Sequence, residues 1–219
     1  MKKIIFLASG GGGNFKFIHQ AILCGKLDSV ELHVIADRNC GAIEYAAKVG
    51  INNSVIQYAR SAPEELRSRL LSVGPDLIIT TWHKIIDSDT VRAHEGRFIN
   101  LHYSLLPAFG GLIGIEPIKK AYEHGCKFIG PTCHFVDEGV DTGKIITQAI
   151  FSTNRPFAES VTMMFRSGCL VLLNAIKLIL HGNESNSARH PFDSNVLFGP
   201  SLQAELKFNE QFWNRVASS

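Results

Sequence analysis

Residues 3–8 run Lys3-Ile4-Ile5-Phe6-Leu7-Ala8, the pattern of a central parallel strand buried on both faces. The run stops at Ser9-Gly10-Gly11-Gly12-Gly13-Asn14, and apolar residues at 15, 18, 22 and 23 then recur at helical spacing. Residues 32–37 read as a second strand, 41–49 as a helix and 54–57 as a short third strand. Pro63 opens a helix through Leu71, with Glu64 and Glu65 suited to its N-terminal dipole. Residues 76–80 make a fourth strand, and Phe98-Ile99 begin a fifth that Pro107 stops. Beyond it, 116–124 reads as a helix, 127–130, 132–136 and 144–150 as strands, and 159–180 as a long helix. Strands alternating with helices at this pace predict an α/β fold. The sheet should be open and mainly parallel, doubly wound and Rossmann-like, with flanking helices. One domain is expected over residues 1–182. Residues 183–190 are polar and read as a linker. The tail to Ser219 has turn residues, then Phe208, Phe212 and Trp213, which should dock it on the domain or a partner subunit.

Bulk properties narrow the classes. A chain of 219 residues has length for a proper core. Its formal net charge of +2 implies no polyanionic partner, which argues against a dedicated nucleic-acid binder. Cys24, Cys40, Cys126, Cys133 and Cys169 are scattered, with no Cys-x-x-Cys spacing, so reduced thiols and no zinc site are expected. The apolar N-terminal run is too short for a signal peptide, and no apolar run reads as long enough to span a membrane. The expected setting is cytoplasmic, as a monomer or homodimer.

Three stretches carry candidate chemistry. The first is the strand, glycine loop and helix around Gly10, Gly11, Gly12, Gly13 and Asn14. It aims backbone N–H groups and a helix N-terminus at an anion, most often a phosphate. No Lys-Ser/Thr follows, so it is not the loop of nucleoside triphosphatases, and a literal Gly-x-Gly-x-x-Gly is also absent. A plain tight turn is the alternative, but four consecutive glycines are costly in chain entropy. The second stretch is Phe98-Ile99-Asn100-Leu101-His102-Tyr103-Ser104-Leu105-Leu106-Pro107. Asn100 and His102, two apart on a strand, point to one face. The third is His134-Phe135-Val136-Asp137-Glu138-Gly139-Val140-Asp141-Thr142-Gly143, carboxylates on a glycine-bounded loop that a ligand can approach closely. Taken singly, each of these polar residues reads as a satisfied strand-end group, and Asp141 as an ordinary Asx turn. A hydrolase triad through Ser104 lacks the Gly-x-Ser-x-Gly elbow. A metal site from His102, His134 and Asp141 is a further alternative.

Asn-x-His-x-Ser-Leu-Leu-Pro, followed some thirty residues on by His-Phe-Val and then Asp-x-Gly, resembles the folate-dependent formyltransferases over about residues 1–182. The likeness is greatest to the glycinamide ribonucleotide enzymes. It implies formyl transfer from 10-formyltetrahydrofolate as co-substrate, without a metal, to an amine. The first candidate acceptor is phosphoribosylglycinamide, in purine biosynthesis. It implies catalytic roles for Asn100, His102 and Asp141, with Ser104 and His134 in support, Ser104 bracing His102. The glycine loop would hold the substrate phosphate, although Gly13 stands where those enzymes carry a serine. Folate contacts are implied for Trp82, His83, Lys84, Ile85 and Ile86, where Trp82, Ile85 and Ile86 supply apolar lining, and for Val136, Asp137, Glu138 and Val140. Four positions depart from the glycinamide ribonucleotide pattern. Ile113 and Ile115 stand where imidazoles are usual, and Gly168 and Cys169 where a Glu-His pair helps bind the ribose. Alternatives therefore stay open: a sugar-nucleotide amine or another small amine or hydroxylamine as acceptor, hydrolysis of formyltetrahydrofolate, or a non-catalytic folate- or phosphometabolite-binding protein. A methionyl-tRNA acceptor is disfavoured, because the tail is short and not notably basic.

Overall fold

A computed structural model describes residues 1–182, 195–202, 206 and 208–218. The linker expected over 183–190 lies outside the described residues. The chain forms two compact units, Met1–Asn100 with Asn209–Ser219, and Leu101–Phe208.

In the first unit, strands β1 (Lys2–Ala8), β2 (Val30–Ala36), β3 (Asn52–Val55), β4 (Leu77–Thr81) and β5 (Phe98–His102) lie in the order β3-β2-β1-β4-β5. All the neighbouring pairs are parallel. The central β1 earns its apolar run: Ile4, Ile5, Phe6 and Leu7 are completely buried. The chain winds outward from β1 through β2 and β3, then returns to its other side for β4 and β5. That reversal is where open α/β sheets bind ligands, at the carboxyl ends of the strands.

Helices α1 (Gly13–Leu23), α2 (Gly41–Lys48), α3 (Glu64–Val73) and α4 (Ser88–Ala93) fill the connections. Strand β3 starts two residues earlier than the apolar pattern implied. It is an edge strand of sequence Asn-Asn-Ser-Val, and its register is set by pairing with β2 (His33 opposite Asn52) rather than by burial. Helix α4 is too short to show a period. Its signal is the cap: the Asp87 carboxylate accepts from the Thr90 N–H at 3.0 Å and is ion-paired with Arg67 of α3.

The tail returns to this unit as α7 (Glu210–Ser218), a helix where only docked aromatics were expected. Phe212, Trp213 and Val216 form its buried face. Trp213 stacks on Phe17 of α1 with centroids 5.4 Å apart, and Phe212 meets the same ring edge-on at 5.6 Å.

The second unit is antiparallel. Around β8 (Ile145–Ser152) lie β6 (Phe128–Ile129), β7 (Thr132–Phe135) and β9 (Leu197–Gly199). Alternate residues of β8 are buried, as a one-face-in strand requires. Helix α5 (Glu116–Glu123) precedes this sheet, and α6 (Phe157–His181) packs against β7 and β8. At 25 residues, α6 is long and apolar enough to cross a bilayer, which corrects the expectation that no such run exists. Most of it is buried inside the protein, so its apolar length is explained by a core that surrounds it. Thr132 is the unit's polar hub. Its buried hydroxyl donates to the Ser104 carbonyl at 2.7 Å and accepts from the Leu106 N–H at 3.1 Å and from Gln148 Nε2 at 2.9 Å.

Replacing Trp213 by alanine is expected to cost about 3 kcal/mol, the usual toll of emptying a buried aromatic site. Urea denaturation checks this. A loss below about 0.5 kcal/mol, the size of an ordinary surface change, would show that the ring does not hold α7 in place.

Candidate active site

The site is built from His102, which ends β5, and the two loops beside it, all in the second unit. Asn100 and His102 project from one face of β5, and Leu101 from the other. After the strand the chain turns through residues 103–111. Ser104 Oγ donates to the Ala108 carbonyl at 2.5 Å, so this serine braces the turn and does not touch His102 directly. The turn brings the Phe109 carbonyl to 3.0 Å from His102 Nε2. A carbonyl only accepts, so Nε2 carries the proton.

On the other side of the ring, His102 Nδ1 lies 3.3 Å from Asp141 Oδ2. The same carboxylate oxygen accepts the Gly111 N–H at 2.8 Å. Its second oxygen lies 3.5 Å from His134 Nε2, while His134 Nδ1 donates to the Phe135 carbonyl at 2.8 Å. One carboxylate therefore sits between two imidazoles and a backbone N–H. Both nitrogens of His102 face acceptors.

Burial alone would raise the Asp141 carboxyl, whose side chain is only 10% exposed. The His134 hydrogen bond, the Gly111 N–H and the charges of the two histidines outweigh it, and the pKa is held down to about 2. Phe109 (φ 59°) and Asp141 (φ 55°) are both left-handed, an uncommon conformation for residues other than glycine. The two residues that clasp His102 are thus both held in costly backbone geometry, as is frequent at functional sites.

The glycine loop lies in the first unit, at the reversal between β1 and β4. Gly13 and Asn14 belong to the first turn of α1 and not to the loop proper. Gly12 caps the helix in the left-handed region (φ 71°), with no side-chain cap and no acidic residue in the first turn. A Cβ on Gly12 would stand 2.8 Å from that of Ala42, and Gly10 accepts from the Ala42 N–H at 3.1 Å. Close packing on α2 therefore explains one glycine by itself. Gly10 and Gly11 have open space around them. An uncapped, acid-free helix start beside open backbone is a fit place for an anion.

Next to this loop, Asp37 is held bidentately by Arg38 at 3.0 and 2.8 Å. That hydrogen bonding, with Ser9 and Lys84 against the opposing effect of burial, keeps its carboxyl below the usual range. The Ser9 hydroxyl also accepts from the His83 N–H at 3.4 Å, which ties the glycine loop to residues 82–86.

Within 82–86, Trp82 and Ile86 are buried, His83 and Lys84 are exposed, and Ile85 is 49% exposed. Of the three apolar residues expected to line a pocket, only Ile85 points outward. Trp82 stacks on Tyr58 at 5.0 Å, and its indole N–H is buried without a hydrogen-bond partner. The Tyr58 hydroxyl donates to the Ile85 carbonyl at 3.1 Å and accepts from the Asp87 N–H at 2.9 Å, fixing the segment's path.

In the second unit, Asp137 Oδ1 accepts from the Gly139 N–H at 3.0 Å and Thr142 Oγ1 at 2.7 Å, so this carboxylate shapes its own loop. Val136 is half-buried, and Glu138 and Val140 are exposed. Ile113 and Ile115 are exposed, whereas Gly168 and Cys169 are buried in α6. Among the described residues, no group of three or more His, Cys, Asp or Glu side chains is arranged to hold a metal.

Sequence patterns did not mark Phe109, Gly111, Tyr58 or Asp37 as parts of these sites. Three of them act through backbone groups or bracing contacts that leave no residue-type signal. Asp37 had one, since it directly follows a parallel strand.

The depressed Asp141 carboxyl makes stability pH-dependent. Its folded value of about 2 lies below the ordinary 3.8, so its contribution is complete above the ordinary value and is lost as pH falls toward 2. Asp141→Asn is expected to shrink the difference in unfolding free energy between about pH 5 and pH 2 by about 2 kcal/mol. Urea titrations of both proteins at the two pH values check this, and parallel curves would refute it.

A profile of the formyl transferase family matches residues 2–161. The chain is similar to the chloroplastic phosphoribosylglycinamide formyltransferase of Arabidopsis thaliana, at 39% identity over 158 residues, covering 68% of this chain and 54% of that protein. It is also similar to the formyltetrahydrofolate deformylase of Bacillus subtilis, at 38% identity over 117 residues, covering 50% of this chain and 38% of that one. Among solved structures, glycinamide ribonucleotide transformylase 1 from Symbiobacterium toebii matches with a TM-score of 0.76 at 30% identity, covering 83% of this chain and 89% of that one. The chain spans about half the length of the plant relatives it matches. A match over most of the chain, with a solved relative of the same architecture, shows that the protein belongs to the formyl transferase family.

Proposed function

We propose that this protein transfers the formyl group of 10-formyltetrahydrofolate to the amine of phosphoribosylglycinamide, a step of purine biosynthesis. The observation that carries the reading is the His102 ring, clasped by the Asp141 carboxylate at 3.3 Å and set two residues from Asn100 on one strand face. The names of the relatives supply the acceptor. The uncapped start of α1 at the glycine loop supports a phosphorylated one.

The chemistry needs no covalent enzyme intermediate. The neutral amine attacks the formyl carbon, and the carbonyl oxygen becomes an oxyanion. The Asn100 amide and the His102 N–H are donors of the kind that stabilises it. Collapse expels the folate nitrogen, which takes a proton from the His102 ring, while the amine gives one up to water, from which the ring is reprotonated. Asp141, whose own carboxyl titrates only near 2, stays ionised and orients the ring. The Nε2 proton now rests on the Phe109 carbonyl, so substrate must displace that carbonyl to receive it.

A second reading, an amine carried on a sugar nucleotide, is favoured by one observation. Gly168 and Cys169 are wholly inside α6 and offer no polar side chain to a ribose.

The test is folate absorbance with 10-formyltetrahydrofolate, with and without phosphoribosylglycinamide. The expected result is turnover only with the ribonucleotide, falling by about a hundredfold or more in His102→Ala and in Asn100→Ala. Turnover without any amine would make the protein a hydrolase. Turnover only with an amino sugar would establish the second reading, and none with any acceptor would reduce the chain to a binding protein.

A further inference from the structure

Asp37 and Arg38 follow β2, and they are paired although they are neighbours in the chain. Arg38 Nε donates to Asp37 Oδ1 at 3.0 Å, and Nη2 to Oδ2 at 2.8 Å. The Asp37 side chain is 2% exposed, whereas that of Arg38 is 57% exposed. An ion pair with so open a cation adds little to stability, and withdrawing a carboxylate from water opposes folding. Support of the fold is therefore a poor account of the pair. What the pair does achieve is a fixed guanidinium. Its Nε–Nη2 edge is taken by Asp37, and Nη1, with two N–H groups, is turned away from that carboxylate. Among the described residues, Asp37 is the one hydrogen-bond partner of Arg38.

The segment that carries Arg38 runs beside the glycine loop and is tied to it at both ends. At one end the Asp37 N–H donates to the Ala8 carbonyl at 3.4 Å, and the Ser9 hydroxyl is hydrogen-bonded to the Asp37 carboxylate. At the other the Ala42 N–H donates to the Gly10 carbonyl at 3.1 Å, and a Cβ on Gly41 would stand 3.2 Å from Gly11 Cα. Arg38 thus lies at the rim of Gly10 and Gly11, two glycines with open space around them. Lys84 also acts on Asp37, so two cations stand against one carboxylate at this rim. The loop itself is short of a donor. Gly13 offers no hydroxyl where the glycinamide ribonucleotide enzymes carry a serine, and no side chain caps α1. A guanidinium meets a phosphate edge-on and, once held, loses little freedom on binding it.

We propose that Arg38, held by Asp37, is a ligand of the acceptor's phosphate and selects phosphorylated acceptors. The identity of the acceptor rests on the formyl-transfer reading, but the test does not need turnover. Calorimetric titrations with ribose 5-phosphate, with phosphoribosylglycinamide and with 10-formyltetrahydrofolate are run separately on the wild type, Arg38→Ala and Arg38→Lys. Arg38→Ala is expected to weaken both phosphate esters about tenfold. Arg38→Lys keeps the charge without the fork and should weaken them about threefold. Affinity for the folate should stay within about twofold in both variants. Added salt should narrow the gap between the wild type and Arg38→Ala for the esters.

Unchanged affinity for the phosphate esters in Arg38→Ala would overturn the proposal. A loss shared equally by the folate would do the same, since it would make the pair a brace for the strand ends. So would a wild type that binds neither ester. Turnover with 10-formyltetrahydrofolate decides the formyl-transfer reading separately. A wild type that binds ribose 5-phosphate through Arg38, yet passes no formyl group to phosphoribosylglycinamide, keeps the phosphate ligand and loses that reading.

Discussion

The carboxylate of Asp141 is the constraint on which the reactive end of β5 depends. A buried carboxylate is expensive unless its oxygens are satisfied, and here one backbone N–H donates to it and two imidazoles lie 3.3 and 3.5 Å away. Each of these groups comes from a different piece of chain: β5, β7 and the glycine-rich turn at Gly111. Satisfying one side chain therefore fixes three backbone segments together. The left-handed conformations at Phe109 and Asp141 follow from the same demand. An isolated loop would relax them, and they persist because the surrounding bonds over-determine them.

The supporting layer works the same way with neutral groups. Thr132 holds the Ser104 carbonyl and the Leu106 N–H, and Ser104 in turn holds Ala108, one residue before the carbonyl that meets His102. A chain of short polar side chains thus carries positional information from the buried antiparallel sheet to the imidazole. In the first unit the equivalent work is done at the strand ends. Ser9 links the glycine loop to His83, and Arg38 neutralises Asp37, so the negative charge beside an anion-ready helix start is already spoken for.

How much of this was legible depended on whether a feature lives in side-chain type or in backbone. The parallel half of the fold was legible because β1 and β4 carry continuous apolar runs and β5 begins with one. The pair Asn100 and His102 was legible because a period of two is enough to put them on one face. Asp141 was legible as a carboxylate on a glycine-bounded loop, and its grouping with His102 and His134 was weighed only as a metal site, since nothing in the pattern fixes which atoms face one another. Helix α7 was hidden because three buried positions, Phe212, Trp213 and Val216, are too few to declare a period beside a stretch of turn residues. Membrane-length apolarity in α6 was missed for the opposite reason. Glu159, Arg166 and Lys177 interrupt a helix that is nonetheless mostly core.

The distribution of departures separates the reaction from its acceptor. The amide, the imidazole and the carboxylate are all present, and they are what any transfer of a formyl group to an amine would use. The departures fall elsewhere, at Ile113, Ile115, Gly168 and Cys169, and each replaces a hydrogen-bonding or charged side chain by an apolar or small one. That exchange has an energetic consequence. A site that hydrogen-bonds a substrate hydroxyl rejects an analogue without it by about four to five orders of magnitude, because its own polar groups are left buried and unpaired. A site that reads shape by apolar contact discriminates by only about ten- to two-hundredfold per methylene. Apolar groups at these four positions would leave the chemistry unchanged while loosening the choice of acceptor.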